Sequence, residues 1–174
     1  IGKYVDLLDS YKSLNEALYH AGVINNKIVD IIYLDSEKLT KRNIHQLKEM
    51  NGILVPGGFG DRGIEGKILA AEYARVNNIP YFGICLGMQI SVIEFARNVM
   101  KLNKANSTEF DKDTKNPVVA LVEEWREDSG KRIFANMENM GGTMRLGSQE
   151  CILTKGSLAY KMYSKTSIKE RHRH

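Results

Sequence analysis

One stretch of the sequence constrains the fold more than any other, because it joins a strand-like run directly to a helix-like one. Residues 79–84 form a short apolar run of the length of a buried strand, and residues 86–100 place Ile90 and Ile93 at helical spacing on one side. Only Cys85 separates the two segments. A strand that turns straight into a helix is the building unit of α/β proteins, so the sequence predicts that class.

Strand-like and helix-like segments alternate along the rest of the chain. The predicted elements are a helix at 10–21, strands at 28–34 and 53–55, a helix at 63–76 and a strand at 118–122. Ser10 stands where an N-cap is expected and Gly22 where a helix stops. The polar stretch 35–51 predicts a short helix, 103–116 a surface loop and 123–153 antiparallel hairpins. Together these elements predict a mostly parallel sheet with helices on both faces.

The composition fits one globular domain. With 174 residues, 43% of them hydrophobic, the chain is long enough for one core and too short for two domains of ordinary size. The formal net charge of +4 is small and dispersed, which argues against nucleic-acid binding. No run reaches the ~18 to 20 apolar residues that a membrane-spanning helix needs, and the N-terminus does not resemble a signal peptide, so we expect a cytoplasmic protein without membrane contact.

The cysteines and the two ends of the chain support further expectations. Cys85 and Cys151 lie in apolar stretches, and because disulfides are rare inside cells we expect two reduced thiols, with Cys151 in a buried strand. The first residues, 1–4, have the character of a strand that is ending, and the chain stops after a basic cluster at 169–174 with no closing strand or helix. We therefore expect a domain that is truncated at both ends.

The sharpest local feature is the turn Gly83-Ile84-Cys85-Leu86-Gly87. A corner residue between strand and helix adopts a strained backbone conformation, which small neighbours permit. Its side chain then points above the carboxyl edge of the sheet, where ligands of such folds collect. The pattern predicts Cys85 as a nucleophile, with the Leu86 N–H available to an oxyanion. The alternative is that Cys85 is one more small buried residue before a helix.

A second feature is the glycine-rich loop at 56–60, which follows the predicted strand at 53–55. Glycines at a strand end allow the backbone to approach a ligand closely and to direct N–H groups at negative charge. The loop is therefore a candidate for the second half of an oxyanion hole. A plain turn is an equally good interpretation of the loop by itself. A thiol and a glycine loop at two strand ends make a stronger case together than either makes separately.

These motifs resemble those of the class I (triad) glutamine amidotransferases, whose fold is flavodoxin-like. The resemblance rests on Pro56-Gly57-Gly58-Phe59-Gly60 and on the elbow extended through Met88 and Gln89. Three further segments are similar to the CTP synthase branch of that family: Ala-Asn-Ser-Thr-Glu-Phe at 105–110, Gly-Gly-Thr-Met-Arg-Leu-Gly at 141–147 and Glu-Arg-His-Arg-His at 170–174. The resemblance extends from residue 2 to residue 174.

The resemblance implies a role for each residue that matches the family motifs. Cys85 is expected to be the nucleophile, and the N–H groups of Gly58 and Leu86 are expected to form the oxyanion hole. The residues expected to bind glutamine are Gly57, Gly58, Leu86, Gly87, Met88, Gln89 and Glu109. The Glu109 carboxylate suits the ammonium group of the substrate. From the sequence alone, without the resemblance, an exposed loop carboxylate is the favoured interpretation of Glu109.

The resemblance also implies a larger enzyme. In the CTP synthase branch, an N-terminal synthase domain, which this sequence does not contain, converts UTP to CTP with ATP and Mg²⁺. GTP is expected as an allosteric activator, and the full-length enzyme is expected to be a homotetramer. The domain itself is expected to bind glutamine and to contain neither a metal nor a cofactor.

The family completes its triad with a His-Pro-Glu segment, and no such segment occurs among these 174 residues. The histidines are His20, His45, His172 and His174, and the first two have the surroundings of surface residues. Removing one triad member typically costs several orders of magnitude in rate, so we expect these 174 residues alone to be a poor glutaminase.

Three other functions stay open. One is the amidotransferase unit of another biosynthetic enzyme, against which the segments at 141–147 and 170–174 argue. Another is a cysteine hydrolase or chaperone-like protein on the same fold, whose elbow cysteine acts on peptides or in stress chemistry. The third is a regulatory domain without catalytic activity.

Overall fold

The computed structural model describes residues 1–120, 124–126, 132–134 and 147–172. The chain forms two compact units, Ile1–Ala120 and Leu121–His174. In order along the described chain, the elements are a 3-10 turn at Leu8–Tyr11, α1 (Lys12–Ile24), a 3-10 turn at Ile44–Leu47, β1 (Ile53–Val55), α2 (Ile64–Val76), β2 (Tyr81–Gly83), α3 (Leu86–Asn98), β3 (Asn106–Ser107), β4 (Pro117–Val119), β5 (Glu124–Arg126), β6 (Arg132–Phe134), β7 (Gly147–Ile152), α4 (Leu158–Tyr163) and β8 (Ser167–His172).

The first unit is built on parallel strand pairs covered by helices. β1 pairs in parallel with β2, as the sequence predicts for strands joined by a crossover helix, and β3 pairs in parallel with β4 without a helix between them. α2 and α3 pack against each other, and their apolar faces form one core with Ile64, Ile68, Leu86, Ile90 and Ile93. This core fixes the end of β2 and the start of α3, where the predicted elbow lies.

The helices and strands nearest the elbow agree with the sequence analysis. The helix predicted at 63–76 begins one residue later, because Gly63 adopts a positive φ of 72° and serves as the N-cap. The helix predicted at 86–100 ends at Asn98. The strand predicted at 79–84 contains only the three residues of β2, and the loop predicted at 103–116 includes the short strand β3. The polar stretch 35–51 contains a single 3-10 turn.

The prediction of a strand at 28–34 is wrong, since within the described chain these residues form no β-ladder. The position beside β1 where this segment would pair is occupied by residues 1–2. The Gly2 N–H donates to the Leu34 carbonyl at 3.0 Å, and the Gly2 carbonyl accepts from Ser36 N–H at 2.9 Å. The Ile1 backbone nitrogen donates to the Leu54 carbonyl at 2.8 Å. Residues 1–2 thus separate the 28–34 segment from β1.

The first helix also differs from its prediction at both ends. A 3-10 turn precedes α1, so that Tyr11 rather than Ser10 is the N-cap, without a side-chain capping bond. Gly22 lies inside the helix instead of ending it. A methyl group at Gly22 would lie 2.7 Å from the Lys27 carbonyl, so glycine is required there for a close backbone contact after the helix.

The second unit contains antiparallel strand pairs, as predicted for 123–153. β5 pairs with β6, and β7 pairs with β8 through six residue pairs. The expectation that no strand closes the chain is wrong, because the basic cluster contributes residues up to His172 to β8. Cys151 lies in β7 as predicted and is half-buried. The predicted strand residues 121–122 and the segment at 141–146 lie outside the described residues.

A buried ion pair connects α2 to α3 on the face beside Tyr81. The Arg75 guanidinium makes three hydrogen bonds of 2.7–3.1 Å with the Glu94 carboxylate. Glu94 is only 3% exposed, whereas Arg75 is 38% exposed. The carboxylate therefore depends on this guanidinium for compensation of its charge.

Among the helices that the structure describes, we find none with the length and apolar character required to span a bilayer.

Candidate active site

Cys85 occupies a strained corner between β2 and α3. Its backbone angles are φ 52° and ψ −106°, a region that non-glycine residues rarely adopt, and it stands at the N-cap of α3. The corner is fixed on the strand side, because Ile84 N–H donates to the Val55 carbonyl at 3.0 Å. On the helix side, the N–H groups of Met88 and Gln89 donate to the Cys85 carbonyl at 3.0 and 3.2 Å. The thiol is half-buried rather than enclosed in the core.

The two flanking glycines are required by close backbone contacts. A methyl group at Gly83 would lie 2.4 Å from the Gly87 carbonyl, and one at Gly87 would lie 2.0 Å from the Val55 carbonyl. Real side chains do not approach backbone atoms so closely. The glycines that define the motif in the sequence are therefore what allow α3 to start directly above β1 and β2.

We expect Gly87→Ala to lower the free energy of unfolding by about 3 kcal/mol, because the new methyl group would overlap a backbone carbonyl that cannot rotate away. Urea unfolding followed by far-UV circular dichroism measures this difference. Gly52→Ala is the matched control, since its methyl group would lie 3.7 Å from the Pro80 carbonyl, an ordinary contact. Equal stability of the two variants would contradict the close packing of α3 on β1.

The glycine loop at 56–60 lies beside the elbow. A β-carbon at Gly57 would be 3.4 Å from the Cys85 β-carbon, and one at Gly58 would be 3.5 Å from a methyl group of Leu86. Leu86 is buried and is the first residue of α3, so its N–H has no intrahelical acceptor. The thiol, the loop and the helix N-terminus thus meet at one place, as predicted from the two sequence motifs.

Glu109 contacts the same loop from the first unit's β3–β4 connection. Its carboxylate accepts a 2.8 Å hydrogen bond from Gly60 N–H. In the sequence, only the family resemblance predicts a role for Glu109 at the site, and no pattern predicts this hydrogen bond. Glu109 lies 49 residues from Gly60 in the sequence, and no local pattern reports such a contact.

Two further residues that the sequence analysis missed support the loop and the elbow. The Lys3 ammonium donates to the Phe59 carbonyl, which belongs to the same peptide group as the Gly60 N–H from which Glu109 accepts. The Tyr81 hydroxyl donates to the Gly87 carbonyl at 2.7 Å, and burial, aided by the nearby Glu94 charge, raises the pKa of Tyr81. Both contacts hold backbone carbonyls, so neither leaves a signature in the sequence.

Other candidate groups lie elsewhere or are ordinary surface residues. His20 and His45 are exposed, as predicted, and His20 lies 3.9 Å from Glu16. The described residues contain no cluster of three or more histidine, cysteine or acidic side chains arranged to hold a metal ion. Cys85 and Cys151 are both half-buried, and the expectation of reduced thiols stays a prediction.

The fold and the elbow agree with what is found by comparison with known proteins. The family model of class I glutamine amidotransferases matches residues 6–174, and the chain therefore belongs to the class I glutamine amidotransferase family. Within that family, it is similar to the solved structure of the Trypanosoma brucei CTPS glutaminase domain with bound acivicin. The two are 41% identical with a TM-score of 0.79, over 95% of this chain and 61% of that one.

These comparisons confirm the predicted α/β, flavodoxin-like fold of the family. They also confirm the resemblance to CTP synthase glutaminase domains. The chain spans 61% of the length of the trypanosomal structure.

Proposed function

We propose that the site hydrolyses glutamine, with Cys85 as the nucleophile, and supplies the ammonia for amination of UTP to CTP. The observation that carries this proposal is the contact between the strained corner at Cys85 and the glycine loop, whose Gly57 approaches the Cys85 β-carbon. A thiol beside two sets of backbone N–H groups suits acyl transfer, because the N–H groups stabilise the oxyanion that forms.

The proposed reaction proceeds in two stages. The Cys85 sulfur, after an imidazole base has taken its proton, attacks the side-chain amide carbon of glutamine. The N–H groups of Gly58 and Leu86 bind the resulting oxyanion. The carbon–nitrogen bond then breaks, the nitrogen takes up the proton and leaves as ammonia, and a glutamyl thioester remains. Water hydrolyses the thioester to glutamate and returns the thiol.

Glutamine binding is assigned to the loop and to the first turn of α3. Gly57 and Gly58 belong to the loop that approaches Cys85 and Leu86, and Leu86, Gly87, Met88 and Gln89 follow Cys85 directly in the chain. Glu109 is proposed to bind the substrate ammonium while its other oxygen keeps the Gly60 N–H, so that one carboxylate positions both substrate and loop.

We expect Glu109→Gln to raise the KM for glutamine by about 10- to 100-fold while kcat falls much less, because a charge-assisted bond to the substrate is replaced by a neutral one. Steady-state ammonia release by the full-length protein measures both constants. Asp113→Asn removes an exposed carboxylate from the same connection and is the control. A change in KM of the same size in both variants would show a general charge effect instead of binding by Glu109.

The remaining parts of the proposal concern the polypeptide of which this domain is part. We infer an N-terminal synthase domain that binds UTP, ATP and Mg²⁺, activation by GTP, assembly into homotetramers and a cytoplasmic location. These inferences are supported by the similarity to the CTPS glutaminase domain and by the segments at 105–110, 141–147 and 170–174.

CTP formation by the full-length protein tests this function. With UTP, ATP and Mg²⁺, we expect CTP to form with either glutamine or ammonium chloride as the nitrogen source. Cys85→Ala should abolish only the glutamine-dependent reaction. No CTP from either source, with glutamine still hydrolysed, would favour the amidotransferase unit of another enzyme. If the full-length protein hydrolyses peptides but not glutamine, the result would favour a cysteine hydrolase.

A further inference from the structure

A small cavity adjoins the glycine loop, and the proposed reaction uses none of its charged or hydroxyl groups. Its volume is about 300 Å³, and its walls include Gly57 and Gly58 of the loop together with Lys3, Tyr11 and Lys67. The cavity therefore shares its loop with the candidate active site. The groups that it presents are mainly hydrogen-bond donors.

Lys67 is the most unusual of these groups. It lies in the first turns of α2, and its side chain is only 2% exposed. Within the described chain, the Lys67 ammonium makes neither a hydrogen bond nor an ion pair. Burial, together with the nearby charges of Lys3 and Arg62, lowers the pKa of Lys67 to about 8, whereas the charge of Glu37 acts in the opposite direction. A lysine residue that is buried to this extent normally has a charged or hydrogen-bonding partner for its ammonium, so the position of Lys67 requires a reason.

The other residues that line the cavity add hydrogen-bond donors, and none of them is a carboxylate that would compete with a bound anion. The Tyr11 hydroxyl oxygen accepts from the backbone N–H groups of Lys3 and Tyr4 at 3.1 and 3.3 Å. Its own hydrogen is donated to no residue in the described part of the chain. The nearest carboxylate with an electrostatic effect, Glu37, is already paired with Arg62 at 3.3 Å.

We propose that this cavity binds a small oxyanion, a phosphate or a carboxylate group, through the Lys67 ammonium and the Tyr11 hydroxyl. An oxyanion has the acceptors that both groups require and compensates the buried charge. Ordinary core packing does not explain Lys67, because an apolar side chain of the same length would fill the position without the cost of burying an ammonium. The inference does not rest on the proposed glutaminase activity.

Nuclear magnetic resonance of the 174-residue chain tests the proposal directly. Lysine labelled with ¹³C at the ε-carbon gives one signal for Lys67, assigned by its loss in Lys67→Met. Adding sodium phosphate or sodium acetate, compared with sodium chloride at equal ionic strength, should raise the titration midpoint of Lys67 by about one pH unit or more. The amide signals of Gly57 and Gly58 should shift together with it. An unchanged midpoint in both phosphate and acetate would overturn the proposal.

Thermal unfolding provides a second measurement that does not require assignments. Saturating phosphate or acetate should raise the Tm of the unmodified chain by about 3 °C or more. Lys41→Met, which removes an exposed lysine, should respond equally, whereas Lys67→Met should lose the response and Tyr11→Phe should weaken it. A response to phosphate alone identifies a phosphoryl ligand, and a response to both identifies a general oxyanion site. An equal rise in Lys67→Met would refute binding at this cavity.

Discussion

Replacement of Cys85 by alanine is expected to lower glutamine hydrolysis by the full-length protein at least about 10⁴-fold, because the thiolate forms and breaks the bond to the substrate carbon. Backbone N–H groups at Gly58 and Leu86 would remain, but they stabilise an oxyanion that water alone produces very slowly. Ammonia release measured at saturating glutamine gives the ratio of kcat values.

Cys151→Ala is the matched control for this variant. Cys151 is also a half-buried thiol but lies in β7, paired with Ile168 of β8. Its removal should leave kcat and KM within about two-fold of the unmodified protein, a range normal for substitutions outside an active site. Retained hydrolysis in Cys85→Ala together with loss in Cys151→Ala would show that Cys151, and not Cys85, is the nucleophile.

Arg75→Met is expected to lower the free energy of unfolding by about 3 kcal/mol, because the Glu94 carboxylate would be left buried without its cation. The estimate is at the lower end of the range for buried pairs, since Arg75 is 38% exposed and its charge is partly hydrated. Urea unfolding followed by far-UV circular dichroism measures the difference.

Two comparisons show whether burial is the reason. Lys38→Met breaks a 3.5 Å ion pair with Asp35 in which the lysine is 76% exposed, and should cost no more than about 0.5 kcal/mol. The double variant Arg75→Met with Glu94→Met removes both charges and should recover most of the stability lost in the single variant. A double variant as unstable as Arg75→Met would mean that packing, and not the unpaired carboxylate, causes the loss.

The elbow could be predicted from the sequence because its determinants are local. Gly83 and Gly87 flank Cys85 within five residues, and the strand and helix on either side have clear apolar periodicity. The structure explains the glycines by backbone contacts that no side chain could tolerate. The proximity of Gly57 to Cys85 followed from a general rule, that the carboxyl ends of neighbouring parallel strands share one edge of a sheet.

The rest of the site could not be predicted, because it depends on partners that are far apart in the sequence. The Lys3 bond to Phe59, the Gly60 bond to Glu109 and the Arg75 pair with Glu94 span 56, 49 and 19 residues. Lysine, arginine and glutamate side chains without a recognisable motif are normally predicted to be exposed. Only the folded arrangement shows that these side chains hold a loop or a helix pair.

The strand at 28–34 was mispredicted for a different physical reason. Its β-branched residues have strong strand propensity, but a strand needs an edge with which to pair. In the described structure that edge consists of residues 1–2, and the pairing reduces to a single bridge between Gly2 and Asp35. Ile28 is fully exposed, so the apolar run is not buried as its composition suggests.

Covalent labelling with the glutamine analogue 6-diazo-5-oxo-norleucine tests the central claim most directly, namely that the Cys85 sulfur is presented to glutamine beside the glycine loop. After reaction of the full-length protein, peptide mass spectrometry locates the adduct. The account predicts one adduct, on Cys85, whose rate of formation falls when glutamine is added. No adduct on Cys85, or an adduct there that glutamine fails to slow while Cys151 reacts equally, would contradict it.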